Sequence, residues 1–169
     1  MDITELILSD HHEQRRMFAI LDEVDRADAA TLVVLWNRIS AMLETHARAE
    51  EEIFYPELLK LGERLHEDRE VDETEDAIGD HNDIRDGISE AARHDVGSDG
   101  WWKGVNAARV ANDEHMGEEE HEGLADFRQH VSLDVRHSLG VRFAAFEAAH
   151  VEGVPAVDRD PKEYVRENS

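Results

Sequence analysis

Four histidines and two glutamates recur in this 169-residue chain at spacings that suit a metal centre. Each half of the pattern has one histidine and, 35 or 34 positions later, a histidine and a glutamate four residues apart: His11, His46 and Glu50, then His81, His115 and Glu119. Residues at i and i+4 lie one turn apart on the same face of a helix. A buried, ionised carboxylate is costly unless it is paired or binds a metal. Imidazole and carboxylate together suit iron, manganese or zinc, and two bridging glutamates favour a dinuclear centre.

The residues around these six repeat as well. Residues 10–15 and 80–85 both read Asp-His-x-acidic-x-Arg, and residues 46–51 and 115–120 both read His-x-x-x-Glu-Glu. The offsets are 70 and 69 positions, which predicts two helical hairpins of one design related by a pseudo-two-fold axis. A lone inward histidine is more often a hydrogen-bonded core residue than a ligand, and an acidic triplet is usually solvated. The recurrence at matched offsets favours the metal interpretation.

The segments that must position these residues read as helices, because apolar residues recur at helical spacing and strong strand patterns are absent. We expect helices over about residues 3–26, 29–61, 70–94, 101–130 and 133–151. The first four predict an all-α, antiparallel up-down four-helix bundle over about residues 3–130, with the additional C-terminal helix covering one side or end. Residues 1–151 then form one domain, and the polar stretch 152–169 is expected to be a loose tail.

The composition excludes several classes of function. Asp and Glu total 41 against 18 Lys and Arg, so a net charge of -23 disfavours nucleic acid and anionic membranes as partners. The absence of cysteine excludes disulfides, iron–sulfur clusters and thiol catalysis. No apolar run approaches the ~20 residues of a membrane span, and the N-terminus does not read as a signal peptide. We therefore expect a cytoplasmic protein, with its oligomeric state left open.

Four segments, DHHEQRRMF, HARAEEEIFYP, DHNDIRDGI and HMGEEEHEG, resemble the hemerythrin-like, or HHE cation-binding, domains over roughly residues 3–130. The resemblance implies a cofactor of two iron ions in an oxo- or hydroxo-bridged, non-haem centre. It makes the four histidines terminal ligands and the two glutamates bridging ligands. Members of the family bind or sense oxygen, handle iron, or act on hydrogen peroxide or nitric oxide. The extra C-terminal helix resembles an extension of actinobacterial relatives.

The third helix departs from the oxygen-carrying hemerythrins. Those proteins offer two histidines four residues apart there, whereas this chain has Arg85 four residues after His81. The ligand set is one histidine short, which weakens simple oxygen carriage and favours chemistry with small oxidants. Tyr55 is a candidate for the open position. An ideal α-helix places it about 140° from Glu50, but Pro56 distorts the preceding turn, and a π-bulge there would turn Tyr55 toward the metal face. The alternative is a tyrosine packed at a helix kink.

Three functions follow from these patterns. The first is a di-iron protein that decomposes hydrogen peroxide as a catalase does, the second reversibly binds or senses O2 or NO or handles iron without turnover, and the third is an acidic bundle for protein interactions. We favour the first. Three Glu-x-x-His matches to ferritin-like di-iron motifs, at Glu63, Glu118 and Glu147, lack a repeat and are attributed to chance. The remaining histidines are expected to be structural, although His137 could reach the bundle: His12, His66, His94, His121, His130, His137 and His150.

Overall fold

The computed structural model describes residues 1–65 and 69–169, and all of its regular elements are helices. Helix α2 runs directly through a π-helical segment into α3, with no loop between them. The elements are α1 (Ile3–Asp22), α2 (Ala29–Ala49), the π-helical segment (Glu50–Phe54), α3 (Tyr55–Leu65), α4 (Arg69–Ala91), α5 (Asp99–His121), α6 (Gly123–His130), α7 (Leu133–Ala149) and α8 (Pro161–Asn168). The expected all-α fold is confirmed. Within the described ranges, no helix is both long enough and apolar enough to span a bilayer.

The first hairpin (α1 and α2) and the second hairpin (α4 and α5) both turn through short polar loops. Asp28 caps α2 by accepting a hydrogen bond from the Thr31 backbone N–H, and Ser98 caps α5 in the same way through Trp101. Gly97 lies in the second loop with φ of +83°, a backbone conformation that L-residues with a side chain rarely adopt. The two caps fix where α2 and α5 begin, and Gly97 allows the tight turn that precedes α5.

Two apolar clusters fill the bundle, one at each end of the candidate site. The cluster at the loop end contains the indoles of Trp36 and Trp101, whose ring centroids are 5.9 Å apart. The cluster at the other end contains Phe54 and Phe127, 5.1 Å apart. The metal-ligand candidates lie between the two clusters, so packing on both sides limits how far their side chains can move.

The second hairpin packs backbone against backbone. A Cβ atom on Gly87 would lie 2.4 Å from the Ala108 nitrogen, and one on Gly104 would lie 2.2 Å from the Ala91 nitrogen. Each glycine thus faces an alanine on the other helix, and a larger residue at either glycine would force α4 and α5 apart. This close approach brings the ligands of the second hairpin together.

The C-terminal third differs from the sequence-based expectation in two places. The long fourth helix is interrupted at Glu122, where φ is -112° and ψ is -84°, so α5 and α6 are separate. The loose-tail prediction for residues 152–169 is wrong for residues 159–168, which pack on α4. Buried Tyr164 and Val165 hold α8 there, and Asp160 caps it. The polar average of the stretch concealed this short amphipathic helix.

Candidate metal centre

The structure brings the six predicted ligands and Tyr55 together in the middle of the bundle. Each hairpin contributes one histidine from its first helix and a histidine and glutamate from its second, as the repeat requires. None of the seven residues is more than 3 % exposed: His11, His46, Glu50, Tyr55, His81, His115 and Glu119. Such a set of imidazoles and carboxylates in a dry interior has the donor chemistry of a metal site.

Glu50 lies between the two pairs of histidines. Its Oε1 is 2.9 Å from His46 Nε2 and 4.0 Å from His11 Nε2, the two histidines of its own hairpin. Its Oε2 is 3.3 Å from His81 Nε2 and 3.7 Å from His115 Nε2, which belong to the other hairpin. One carboxylate therefore faces both histidine pairs, as a bridging ligand must.

Glu119 is the second carboxylate of the centre. Its Oε2 is 3.4 Å from His11 Nε2, and its Oε1 accepts a hydrogen bond from the Tyr55 hydroxyl at 3.1 Å. Ligand atoms of His11, Glu50, His115 and Glu119 all lie within 4.8 Å of one another, a separation that a shared cation can span. Glu119 thus completes a cluster that joins the two hairpins.

Several polar atoms in this cluster are buried without a hydrogen-bond partner among the described residues. They include the Nε2 atoms of His11 and His46, both carboxylate oxygens of Glu50, and Oε2 of Glu119. Buried polar groups are normally satisfied, and each unsatisfied one costs stability. All five atoms are standard metal-ligand atoms, so bound cations would satisfy them together. The residues present fit a metal centre.

The electrostatics of the two glutamates also favour a cation. Burial disfavours the ionised form of Glu50, but the facing imidazoles, His46 foremost, outweigh burial and hold its pKa well below the usual value. Burial, followed by the negative charge of Glu50, raises the pKa of Glu119 well above its usual value. Two carboxylates sharing one dry site cannot both ionise cheaply. Cations between them would allow both to be charged.

An aspartate lies behind each candidate histidine ligand of α2 and α5. His46 Nδ1 faces Asp10 Oδ2 at 3.4 Å, and His115 Nδ1 faces Asp80 Oδ2 at 3.8 Å. Burial disfavours the charged form of His115, but Asp80 and Glu50 outweigh it and raise its pKa to about 10. Such partners fix the tautomer and orientation of a ligating imidazole.

The other two histidines receive their carboxylates across the hairpins. His11 Nδ1 lies 3.0 Å from Glu120 Oε1, which also accepts a hydrogen bond from Arg15 at 2.7 Å. On the opposite side, His81 Nδ1 lies 3.1 Å from Glu51 Oε1, which accepts from Arg85 at 2.8 Å. The supporting role of these six residues was not predicted from the sequence, although the repeat contains them at matched positions: Asp10, Arg15, Glu51, Asp80, Arg85 and Glu120.

The predicted π-bulge is present and brings Tyr55 to the centre. The segment Glu50–Phe54 is π-helical, and the Tyr55 backbone N–H donates to the Glu50 carbonyl, five residues back. Burial, then the nearby charges of Glu119 and Glu50, raise the pKa of Tyr55 well above its usual value. Without a metal, the phenol therefore keeps its proton and donates a hydrogen bond to Glu119.

Arg85 occupies the position where the oxygen carriers have a further histidine, and it points away from the centre. Its Nε donates to Glu44 at 2.9 Å, and its two Nη atoms donate to Glu51 at 2.8 Å and to Asn82 at 3.3 Å. The guanidinium is 3 % exposed, so both carboxylates are needed to compensate a buried charge. This residue supports the site electrostatically and supplies no ligand atom.

Four of the remaining histidines make their contacts outside the centre: His94, His121, His137 and His150. His137 Nδ1 contacts the Met1 carbonyl, and His150 Nδ1 contacts the Phe146 carbonyl. His66, which ends the first Glu-x-x-His match, lies outside the described residues.

Glu147, the start of another such match that was attributed to chance, has a carboxylate oxygen within 4.8 Å of ligand atoms of Asp10 and His46. Burial, then Asp10, raises the pKa of Glu147 to about 7.

A cavity of about 340 Å³ reaches the centre from one side. Its inner wall includes Tyr55, His115 and Glu119. The rest of its lining is strongly acidic apart from Arg69 and Ala77: Asp72, Glu73, Asp76, Asp80, Glu118 and Glu122. This field repels anions and admits cations and small neutral molecules.

Comparison with family models matches residues 2–126 to the hemerythrin HHE cation binding domain. The match includes all six predicted ligands, Tyr55 and the supporting carboxylates, and it ends before α7 and α8. Comparisons with curated proteins and with solved structures gave no match.

Proposed function

Because the chain belongs to the hemerythrin HHE cation-binding domain family, we propose that its buried cluster holds two iron ions. His11 and His46, whose ring centroids are 5.1 Å apart, would hold one ion. His81 and His115, whose Nε2 atoms are 3.3 Å apart, would hold the other. Glu50 and Glu119 would bridge the two. The unsatisfied buried atoms of this cluster support the assignment.

We further propose that the protein decomposes hydrogen peroxide to oxygen and water. The observation that carries this proposal is the incomplete histidine set beside a cavity that ends at Tyr55 and Glu119. One position is open to a small molecule because Arg85 does not reach the centre. When bound, the iron pair would supply Lewis acidity and a two-electron redox couple. In net terms, one peroxide is oxidised to O2 while a second is reduced to two waters.

The residues of the chain would handle the protons of this reaction. The Tyr55 hydroxyl donates to Glu119 Oε1 at the inner end of the cavity, so the phenol oxygen is where the chain would hold a proton beside the iron pair. The acidic cavity wall favours neutral hydrogen peroxide over anions such as superoxide or nitrite.

The test is oxygen release by purified, iron-loaded protein after addition of hydrogen peroxide. We expect release well above that of the same concentration of free iron, and its loss in a His46→Ala/Glu50→Ala double variant. Full activity in that variant, or no release by the wild type, would reject the catalase-like function. A reversible spectral change with O2 or NO and no turnover would instead assign a binding or sensing role.

The position of Tyr55 has a spectroscopic test of its own. If Tyr55 loses its proton and ligates iron, the loaded protein should show a phenolate-to-iron charge-transfer band in the visible. Tyr55→Phe should abolish that band while the iron content stays near two per chain. An unchanged spectrum in this variant would leave Tyr55 as a hydrogen-bond donor to Glu119 only.

A further inference from the structure

Glu51 is the most enclosed of the carboxylates that support the histidines. Its side chain is fully buried, and Oε1 faces both His81 and Arg85. Its other oxygen, Oε2, accepts a 2.7 Å hydrogen bond from Arg159 Nε. Arg159 lies 108 residues along the chain, in what we call the C-terminal strap (residues 159–168). The strap is outside the part of the chain that matches the HHE domain.

Hydrogen bonds between the Arg159 backbone and Asn82 hold Arg159 in place. The Asn82 side chain donates to the Arg159 carbonyl at 2.7 Å and accepts from the Arg159 N–H at 3.1 Å. Asn82 directly follows His81, so the strap attaches one residue from a metal-ligand candidate. The guanidinium also lies over the ring of Tyr164, 5.7 Å from its centroid. These contacts fix the direction from which Arg159 reaches Glu51.

Tyr164 contacts the backbone of the same glutamate. In the π-helical segment the Tyr55 N–H bonds to the Glu50 carbonyl, and the next residue, Pro56, has no N–H to give to Glu51. The Tyr164 hydroxyl donates to the Glu51 carbonyl at 2.5 Å. A buried carbonyl without a hydrogen-bond donor lowers stability. The Tyr164 hydroxyl supplies the donor that Pro56 lacks.

We propose that the C-terminal strap is a positioning element for one half of the metal centre, the half formed by His81 and His115. Arg159 and Tyr164 act as positioning residues: they fix Glu51, which orients the imidazole of His81 through Nδ1. The proposal rests on the proposed metal site. In the opposite half, Glu120 is the counterpart of Glu51, and among the described residues it contacts His11 and Arg15 alone. Glu120 is 22 % exposed and Arg15 is 37 % exposed.

The expected consequence is a difference in affinity between the two ions. Loss of a partner behind a metal-ligating histidine typically weakens metal binding by roughly 10–100-fold. Arg85 still holds Glu51 when Arg159 is removed, so we expect the lower end of that range. The weakening should affect one ion and leave the other unchanged.

The experiment compares Arg159→Ala and Tyr164→Phe with Arg166→Ala in the full-length chain. Arg166 is also an arginine of the strap, is 71 % exposed and, within the described ranges, forms an ion pair with Glu163 alone, so it is a matched control for loss of a strap arginine. Fe²⁺ affinity is measured without oxygen by competition with a chelator. We expect the affinity for one ion to fall roughly tenfold in the first two variants. In the control variant the affinity for both ions should equal that of the wild type. Equal weakening of both ions, or no weakening, would overturn the proposal.

Two further measurements separate positioning from general destabilisation. Arg159→Lys keeps the charge and should restore part of the affinity. In metal-free protein, nitrogen-15 NMR should show faster water exchange of the His81 imidazole N–H in Arg159→Ala, with His11 unchanged. If wild-type protein binds no iron, the proposed function fails, and the NMR comparison decides the strap proposal alone. An unchanged His81 signal would then overturn it.

Discussion

The two halves of the centre are built from one repeated motif but are embedded differently. On one side, the pair of Arg15 and Glu120 lies near the surface, with side chains 37 % and 22 % exposed. On the other, Arg85 and Glu51 are 3 % and 0 % exposed, and Glu51 also holds Arg159. The two equivalent contacts therefore lie in different surroundings: the one behind His11 is accessible to water, and the one behind His81 is buried. The repeat determines which residues are in contact, and the burial of each contact determines how much it contributes to stability.

The largest expected effect comes from removing the two equivalent glutamates. Glu51→Ala should lower the free energy of unfolding of metal-free protein by about 3 kcal/mol, because it leaves the buried charge of Arg85 with one partner fewer. Glu120→Ala should cost less than about 1 kcal/mol, because its ion pair is largely solvated. Denaturant unfolding of both variants measures the difference. Equal costs would show that burial does not distinguish the two halves.

The next effect concerns the aspartates that begin each repeat. Asp80→Asn should weaken the binding of one ion by roughly 10–100-fold, because His115 loses the partner of its Nδ1. Asp10→Asn should have a smaller effect, because removing Asp10 also relieves repulsion with Glu147. Chelator competition with Fe²⁺ checks the order of the two affinities. A larger loss of affinity in Asp10→Asn would contradict the expected relief of repulsion between Asp10 and Glu147.

The cavity wall offers a prediction about rates. Glu118→Gln removes one negative charge from the wall without touching a ligand atom, and it should slow Fe²⁺ uptake severalfold at low salt. Added salt should erase the difference, because screening weakens steering. Glu13→Gln, which changes an acidic residue that is not part of the cavity lining, is the control, and its uptake rate should match that of the wild type. Stopped-flow absorbance follows the uptake.

Stability should also depend on pH through Glu73, which lies beside the interruption between α5 and α6. Burial, followed by Glu122 and Asp126, raises its pKa from 4.5 to about 8. The folded state thus binds the proton more tightly, and this stability is lost as the pH rises from about 4.5 to 8. At pH 9, Glu73→Gln should be more stable than wild type by on the order of 2 kcal/mol, after discounting for partial exposure.

Near pH 5 the two proteins should have similar stability, because wild-type Glu73 is then protonated and resembles glutamine. Thermal unfolding of metal-free protein at both pH values measures the difference. Equal melting temperatures at pH 9 would show that Glu73 titrates normally.

The gathering of the six candidate ligands was predictable from sequence because their geometry is local and repeated. His46 and Glu50 share a helix face by spacing alone, and the second hairpin supplies an independent copy of the pattern. The π-bulge was predictable for a similar reason, since Pro56 marks the place where the α-helical bonding fails. The role of the supporting carboxylates was missed, although the same repeat contained them.

The strap could not be predicted from sequence by the same reasoning. Arg159 meets Glu51 across 108 positions, and no second copy of the contact exists in the repeat to reveal it. The apolar signal of α8 is short, with only Tyr164 and Val165 buried. Long-range contacts made by a few residues depend on the tertiary arrangement, which a single sequence does not display.

The π-helical segment sets the phase of everything that follows it in α3. A wide turn accommodates one residue more than an α-helical turn, so deleting any one residue between Glu50 and Phe54 should restore the ordinary winding. Tyr55 would then rotate by about 100° away from Glu119, and the buried face of α3 would rotate with it. Among homologues, loss of the tyrosine from the centre should therefore coincide with a one-residue gap here, which an alignment would register as a deletion although it changes the position of a functional group.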